Sequence, residues 1–262
     1  MRGYVTLPIV LVLAAVVYIY FTTVFVVIDG WLGLSTASGL ANAAALTVLA
    51  IMALITYGMA VLKDPGRVPS AFAPGIEDDE TAIHEIKRKG GDLRYCQKCS
   101  HYKPPRAHHC RICKRCVLRM DHHCVWINNC VGHENYKIFF VFVLYGVSAC
   151  IHSLVLLVAS ACYELQKDQQ QNGESFNKSY ILYAALLCPL TVALSILLFW
   201  HIYLILHNKT TIEYHEGVRA MLLAEKVLGP NVVCWICPVS KHIGSGLRFR
   251  TSFDIPVPRP SA

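Results

Sequence analysis

The stretch that decides this fold is Cys96–Cys130, which reads CQKCSHYKPPRAHHCRICKRCVLRMDHHCVWINNC. It holds seven cysteines and several histidines in a polar insert that apolar runs flank on both sides. Closely spaced cysteines and histidines are typical ligands of structural zinc, and two closed tetrahedral sites need eight ligands. The insert therefore predicts two zinc sites, with one cysteine and at least one histidine left over.

The ligands divide by spacing. Two cysteines separated by two residues lie on one tight turn and can reach a single ion. The pairs Cys96/Cys99 and Cys110/Cys113 each need partners from later in the chain, so we predict interleaved sites. The first site takes Cys96, Cys99, His109 and Cys116, and the second takes Cys110, Cys113, His123 and Cys130. Four protein ligands close each site, so we expect structural and not catalytic zinc.

The assignment leaves Cys124, His122 and His108 without a metal. Asp121, His122 and Cys124 stand within four residues and supply a carboxylate, an imidazole and a thiol. An imidazole can take the proton of a thiol, and a carboxylate can fix the tautomer of that imidazole. The spacing therefore favours nucleophilic chemistry at Cys124. The alternative, that Cys124 is a ninth metal ligand or a structural thiol, stays open at this point.

The rest of the chain is typical of a membrane protein. Of its 262 residues 55% are hydrophobic and 16% are charged, against about 25% charged in soluble domains. Runs of about 20 apolar residues can cross a ~30 Å hydrocarbon core. The four such runs are Leu7–Ile28, Leu40–Leu62, Ile138–Cys162 and Ile181–Leu206. We predict an all-α membrane fold with four transmembrane helices and a zinc-stabilised insert between helices 2 and 3, and we find no internal repeat.

The expected domains follow from these runs. They are helices 1 and 2 in residues 1–66, the cysteine-rich zinc domain in 67–137, helices 3 and 4 in 138–206, and a tail in 207–262. Lys63–Lys137 holds fourteen Lys and Arg and the chain after Leu206 holds seven, whereas Asp29–Gly39 holds none. Positive loops stay in the cytosol, so we predict that the N-terminus, the zinc domain and the tail are cytosolic.

The predicted cytosolic location limits the chemical state of the cysteines, and the net charge limits the kinds of ligand that we expect. The cytosol is reducing, so we expect metal-bound or free thiols and no disulfides. Cys234 and Cys237 form one more pair with two-residue spacing, for which we favour membrane-surface packing or lipidation over zinc. The net charge of +7 suits a lipid bilayer and phosphate-bearing ligands. We expect no nucleic acid, because no recognised binding module accompanies the charge.

The cysteine-rich stretch resembles the Asp-His-His-Cys (DHHC) protein S-acyltransferases, also called palmitoyltransferases. The resemblance extends to Asp64-Pro65-Gly66 and Thr210-Thr211-x-Glu213, and with the four-helix layout it covers nearly the whole chain. The matching run is Cys96-x2-Cys99-x3-Lys103-Pro104-x-Arg106-x-His108-His109-Cys110-x2-Cys113-x2-Cys116-x4-Asp121-His122-His123-Cys124-x-Trp126-x2-Asn129-Cys130-x-Gly132-x2-Asn135.

The resemblance implies an integral membrane enzyme of endomembranes (Golgi or endoplasmic reticulum) or the plasma membrane. Such an enzyme acylates its own cysteine from a fatty acyl-CoA such as palmitoyl-CoA, and then passes the acyl group to cysteines of membrane-associated proteins. Carried onto this chain, the resemblance makes Cys124 the acyl-accepting nucleophile, His122 its general base and Asp121 the residue that orients His122. The family's two structural Zn²⁺ ions correspond to the eight ligands assigned above.

Two departures separate the chain from the family pattern. Val125 stands where the family usually has proline, and the tail looks short, since an asparagine-bearing segment that usually packs on the membrane domain is missing and Asn231 is no secure substitute. A weakly active scaffold of the same fold is therefore one alternative. A membrane-anchored RING-type ubiquitin ligase is another, although such a ligase has no use for the group Asp121, His122 and Cys124.

Overall fold

A computed structural model of the chain describes residues 6–73, 94–171, 178–217, 228, 232–238 and 244–247. The chain divides into two compact units. One consists of Met1–Val61 with Ile138–Ile202, and the other of Leu62–Lys137 with Tyr203–Ala262. The first unit is helical and apolar, and the second contains the cysteine-rich insert and the tail.

Four helical segments are long and apolar enough to cross a membrane: Leu7–Trp31, Ala37–Leu62, Tyr136–Lys167 and Ser179–Leu206. This confirms the predicted membrane fold with the insert between the second and third segments. The first segment joins α1 (Leu7–Phe21), a π-helical stretch (Thr22–Ile28) and α2 (Asp29–Trp31). The later helices are α3 (Ala37–Leu62), α4 (Tyr136–Gln171), α5 (Lys178–Leu206) and the short α6 (Thr211–His215).

A buried polar cluster links three helical segments of the first unit. The Thr23 hydroxyl lies 2.6 Å from the Tyr183 hydroxyl and donates to the Ser153 hydroxyl over 3.1 Å. All three side chains are buried, and apolar residues such as Val27 and Leu187 form a core cluster with Tyr183. Hydrogen bonds between helices in hydrocarbon contribute about 0.6–2 kcal/mol each, so this cluster helps to hold the helices in register.

Three short antiparallel hairpins build the insert in the second unit. They pair β1 (Tyr95–Cys96) with β2 (His101–Tyr102), β3 (His108–Cys110) with β4 (Arg115–Val117), and β5 (His122–Cys124) with β6 (Asn129–Val131). An isolated two-stranded hairpin is marginally stable at best. Something other than strand pairing must hold the insert together.

The hairpins repeat every fourteen residues. Equivalent pairs across the three hairpins are Cys96 with His101, Cys110 with Arg115, and Cys124 with Asn129. Equivalent left-handed turn residues are Ser100, Lys114 and Asn128, at φ 55°, 52° and 47°. Our expectation of no internal repeat was therefore wrong. The repeat lies in the backbone and in the cysteine positions, while most other side chains differ.

Among the described residues, the second unit has two small hydrophobic clusters in which four of the nine buried members are cysteines. One cluster contains Val68, Cys96, Ala107, Cys116 and Leu118, and the other contains Cys110, Val117, Met120 and Cys130. Cores this small seldom stabilise a domain without a metal or another crosslink. The fold of the insert therefore depends on what its cysteines bind.

The described parts of the tail pack onto this unit. Leu247 packs against the cluster around Cys96, and the Gly244 carbonyl lies 3.2 Å from His133 Nε2. A 3-10 helix at Val232–Ile236 lies near Lys137, whose Nζ donates to the Cys234 carbonyl over 2.7 Å. Asn231 lies outside the described residues. The short tail thus has its own anchoring contacts.

Gly132 provides a test of this packing. A Cβ at this position would lie 2.6 Å from Val117 Cγ1 and 2.7 Å from the Pro65 carbonyl oxygen. Gly132→Ala should therefore destabilise the second unit by about 1–3 kcal/mol through overpacking and lower the zinc content. Thermal unfolding and bound zinc per chain would be measured in detergent. Gly58→Ala, whose Cβ meets nothing within 4 Å, is the control, and equal behaviour of the two variants would contradict this account.

Candidate active site and metal sites

The structure brings the four residues of the first predicted site together. His109 Nδ1 lies 3.5 Å from Cys96 Sγ, 3.2 Å from Cys99 Sγ and 3.8 Å from Cys116 Sγ. Cys116 Sγ lies 3.8 Å from Cys99 Sγ. All four donor atoms lie within 4.8 Å of one another. They come from the first two hairpins, so one ion here would join both.

The second predicted set meets in the same way. His123 Nδ1 lies 3.7 Å from Cys110 Sγ, 3.3 Å from Cys113 Sγ and 3.6 Å from Cys130 Sγ. Each member stands fourteen residues after its counterpart in the first set. One ion here would join the second and third hairpins. Two ions together would hold all three.

Both clusters fit zinc. Zn–S bonds of about 2.3 Å place neighbouring donors of a tetrahedron about 3.7 Å apart, which agrees with the distances in both sets. Burial and the neighbouring thiols also raise the pKa of Cys116 and of Cys130 above the ordinary range of a thiol. Several thiolates cannot gather in one place without a cation. The two sets of three cysteines and one histidine could therefore bind two zinc ions.

Cys124 belongs to neither cluster. It holds the position in the third hairpin that the zinc-ligand candidates Cys96 and Cys110 hold in the first two. The second cysteine of each pair, Cys99 or Cys113, is replaced here by the buried Ile127. Among the described residues, no group with metal-site geometry includes Cys124. The buried thiol of Cys124 therefore occupies the position of a metal ligand, but a second cysteine three residues later is missing.

A hydrogen-bonded carboxylate and imidazole accompany this thiol. The His122 Nδ1 lies 2.7 Å from the Asp121 Oδ2, and Asp121 is fully buried. The Thr211 backbone N–H and hydroxyl both donate to Asp121 over 2.9 Å. Since Asp121 occupies Nδ1, the other ring nitrogen of His122 is the one available to the Cys124 thiol.

Electrostatics at His122 agree with a basic role. Burial lowers the pKa of His122, but the hydrogen bonds and charges of Asp121 and Cys124 outweigh it and raise this pKa to about 9. An imidazole with a raised pKa binds a proton tightly. The ring of His122 is therefore a stronger base than an ordinary imidazole and can hold a proton that the neighbouring thiol gives up.

The second hairpin has a histidine at the position equivalent to His122, but it has no aspartate before that histidine. His108 is this counterpart, fourteen residues before His122, and Ala107 stands where Asp121 would be. Burial and the charges of Arg94 and Lys103 lower the pKa of His108 to about 4. The charge of Glu213 opposes this lowering but does not outweigh it, so His108 stays neutral at neutral pH and is a poor base. The two histidines therefore differ in pKa because Asp121 and Cys124 act on His122, whereas Arg94 and Lys103 act on His108.

Residue spacing alone did not identify the groups that hold Asp121 in place, which are Thr211 and the helix cap next to it. Thr210 caps α6 by accepting from the Glu213 N–H, and the Glu213 carboxylate binds the Thr210 N–H in return. The Arg106 guanidinium donates to both oxygens of Glu213 and also to the Asn208 carbonyl. These hydrogen bonds hold the turn that presents Thr211 to Asp121. The participants stand about a hundred residues apart, so only the resemblance pointed to Thr210, Thr211 and Glu213.

Comparison with known proteins agrees with this geometry. A family model described as DHHC palmitoyltransferase matches residues 89–218. "Probable protein S-acyltransferase 16" of Arabidopsis thaliana is 59% identical, over 95% of this chain and 94% of that protein. "Probable protein S-acyltransferase 15" of Arabidopsis thaliana is 41% identical, over 90% of this chain and 99% of that protein.

A more distant relative carries the same activity in its name. "Palmitoyltransferase ZDHHC15A" of Danio rerio is 35% identical, over 62% of this chain and 53% of that protein. None of these findings favours the ubiquitin-ligase alternative. The chain belongs to the DHHC palmitoyltransferase family, and it is a protein-cysteine S-acyltransferase.

Proposed function

We propose that this enzyme takes a fatty acyl group from an acyl-CoA onto Cys124 and transfers it to cysteines of membrane-associated proteins. The observation that carries the proposal is the Asp121–His122 hydrogen bond of 2.7 Å beside a thiol that neither metal cluster uses. In this arrangement Cys124 is the nucleophile, His122 the general base and Asp121 the residue that orients His122.

The first step loads the enzyme. His122 takes the thiol proton, and the Cys124 thiolate attacks the thioester carbonyl of the acyl-CoA. Asp121 holds His122 in the tautomer that accepts this proton and stabilises the positive charge that the ring gains. Thr211 keeps Asp121 in place through two hydrogen bonds. The CoA thiolate leaves with a proton, and the acyl group remains on Cys124.

The second step repeats the chemistry with a different nucleophile. The thiol of the protein substrate attacks the acyl-Cys124 thioester, and His122 can take the proton of that thiol. Cys124 then leaves as the free thiol. Both half-reactions exchange one thioester for another of similar energy, so neither needs a further energy source.

The ligand sets proposed for zinc are Cys96, Cys99, His109 and Cys116, and Cys110, Cys113, His123 and Cys130. Both sets use four protein donors and leave no open position, which is the mark of a structural site. The second set includes His123, next to His122, and Cys130, which pairs with His123 across the third hairpin. Metal at this set would therefore fix the strand that presents Asp121, His122 and Cys124.

The nucleophile can be tested by substitution. Cys124→Ser should abolish the hydroxylamine-labile acyl adduct that forms with palmitoyl-CoA, while two zinc ions per chain remain. Acyl incorporation and metal content would be measured on the same purified protein. Loss of one full equivalent of zinc would mean that Cys124 is a metal ligand. An unmodified chain without any adduct would instead favour the inactive scaffold.

The adjacent histidines should behave in opposite ways. His122→Ala should retain both zinc ions and the melting temperature but lose acyl-enzyme formation, because the thiol loses its base. His123→Ala should lose about one zinc and unfold at a lower temperature, because a four-ligand site loses one donor. The assignment is wrong if both variants show the same metal content and stability.

The orientation can be tested independently of the chemistry. We propose that the N-terminus, residues 67–137 and the tail are cytosolic, in an endomembrane or the plasma membrane, because these segments carry most of the Lys and Arg. A membrane-impermeant thiol or protease probe should reach them from the cytosolic side only. A lumenal reporter inserted in 164–179 should be active. Cytosolic access to that loop would overturn the topology.

A further inference from the structure

Arg119 is a buried cation in the segment between β4 and β5. Only 5% of this residue is exposed, and within the described part of the chain its Nη2 atom meets no hydrogen-bond acceptor. The guanidinium lies over the ring of Tyr136 instead, with Cζ 5.0 Å from the ring centroid. Burial of a charge without a direct acceptor costs the fold free energy. A stable arrangement at Arg119 therefore requires an opposite charge nearby.

The backbone holds Arg119 in this position. Its φ of 41° lies in the left-handed region, which is strained for a residue with a Cβ. The N–H of Leu118 donates to the Gly66 carbonyl over 2.9 Å. The N–H of Met120 donates to the Arg106 carbonyl over 3.1 Å. Because hydrogen bonds fix both neighbours, the strained turn cannot relax without breaking them, and the guanidinium stays buried.

Two buried carboxylates act on this charge. Burial lowers the pKa of Arg119 to about 10, and the charge of Arg106 adds to that lowering. The charges of Glu213 and Asp121 oppose it, so both carboxylates lie within electrostatic reach of the guanidinium. Glu213 is also the partner of Arg106, whose Nε and Nη2 donate to its two oxygens over 2.5 and 2.7 Å. The interaction with Asp121, two residues away in the chain, is the one that bears on the reaction.

An interaction between two charges stabilises both of them equally. The free energy by which the Asp121 carboxylate favours the charged form of Arg119 is therefore also the free energy by which Arg119 favours that carboxylate. Such attraction is strong in a buried site, where the effective dielectric constant is low. Two donors to Asp121 behave differently, since Thr211 is neutral and His122 carries a charge only while its ring is protonated. A guanidinium remains charged throughout.

We propose that Arg119 is a positioning residue of the reaction, whose buried positive charge keeps the Asp121 carboxylate oriented toward His122 while that ring is neutral. The proposal rests on Asp121 as the residue that orients His122 in the proposed function. In each half-reaction His122 gains a proton and then gives it up, so its attraction for Asp121 rises and falls. The charge of Arg119 does not change. Arg119 therefore acts through Asp121 and transfers no proton itself.

A double-mutant cycle tests whether the two charges interact. Arg119→Met, Asp121→Asn and the variant with both changes would be compared by thermal unfolding of the full chain in detergent, with bound zinc measured on each protein. Each single change should lower the melting temperature, because it leaves the opposite charge buried and unbalanced. The double variant removes both charges, so its loss should be smaller than the sum of the two single losses. Losses that simply add would show that the charges do not interact and would overturn the proposal.

Arg119→Lys separates the charge from the shape of the side chain. Lysine keeps the positive charge but loses the planar fork, and Nη2 of Arg119 has no acceptor to lose among the described residues. Arg119→Lys should therefore retain two zinc ions and most of the melting temperature and acylation rate. A lysine variant as impaired as Arg119→Met would assign Arg119 to packing on Tyr136 and overturn the proposal. If Arg119→Met does not retain zinc, Arg119→Gln, which is also uncharged, takes its place in each comparison.

The rate of acyl-Cys124 formation tests the role in the reaction. Arg119→Met should lower kcat about tenfold, which is a part of the 10²–10⁴-fold that general acid–base catalysis contributes, and leave the KM for palmitoyl-CoA unchanged. Arg67→Met is the matched control, because it removes an exposed arginine of the same unit and should keep both values. An unchanged kcat in Arg119→Met, or a change in KM alone, would overturn the proposal, while the proposed function would stand. An unsubstituted enzyme without the acyl adduct would contradict the proposed function and this inference together.

Discussion

The second unit depends on one constraint, which is that three cysteines and one histidine meet at each of two places in the insert. In the described part of the insert there are two small apolar clusters, and four of their nine buried members are cysteines. Strand pairing in three short hairpins is too weak to offset the conformational entropy that the chain loses when it becomes ordered. Each cluster joins two neighbouring hairpins, so a metal at each would replace the missing core. Such cross-linking would also fix the third hairpin, which carries His122 and Cys124.

The fourteen-residue repeat explains how a free thiol arises in such a domain. The first two hairpins each begin with a cysteine pair, Cys96/Cys99 and Cys110/Cys113, and the third begins with Cys124 followed by Ile127. The same backbone turn therefore presents a cysteine without the second ligand that would capture a metal. The accompanying change from Ala107 to Asp121 supplies the carboxylate that makes His122 basic. These two differences distinguish the third hairpin from the first two.

The support of Asp121 comes from distant parts of the chain. Thr211 binds both carboxylate oxygens, and α6 is held by the pairing of Arg106 with Glu213. These groups are buried or nearly so, where an unpaired charge would be costly. In this network Asp121 faces His122. Val125 stands where the family usually has proline. The preceding residue, Cys124, has an extended backbone (φ −100°, ψ 115°), which is the conformation that residues before proline also adopt.

The sequence by itself determined the four apolar helices and the inventory of metal ligands, because helix length and the two-residue spacing of cysteines are local properties. The interleaved grouping of those ligands also followed from their spacing, but the approach of His109 and His123 to their clusters through Nδ1 was decided by the tertiary structure. So were the contact of Thr211 with Asp121 and the position of Lys137 beside Cys234. Each joins residues far apart in the chain, and no spacing rule states which distant side chains will meet. The hairpin repeat was present in the sequence but became visible only in the paired backbone, because its turns share a conformation and not their side chains.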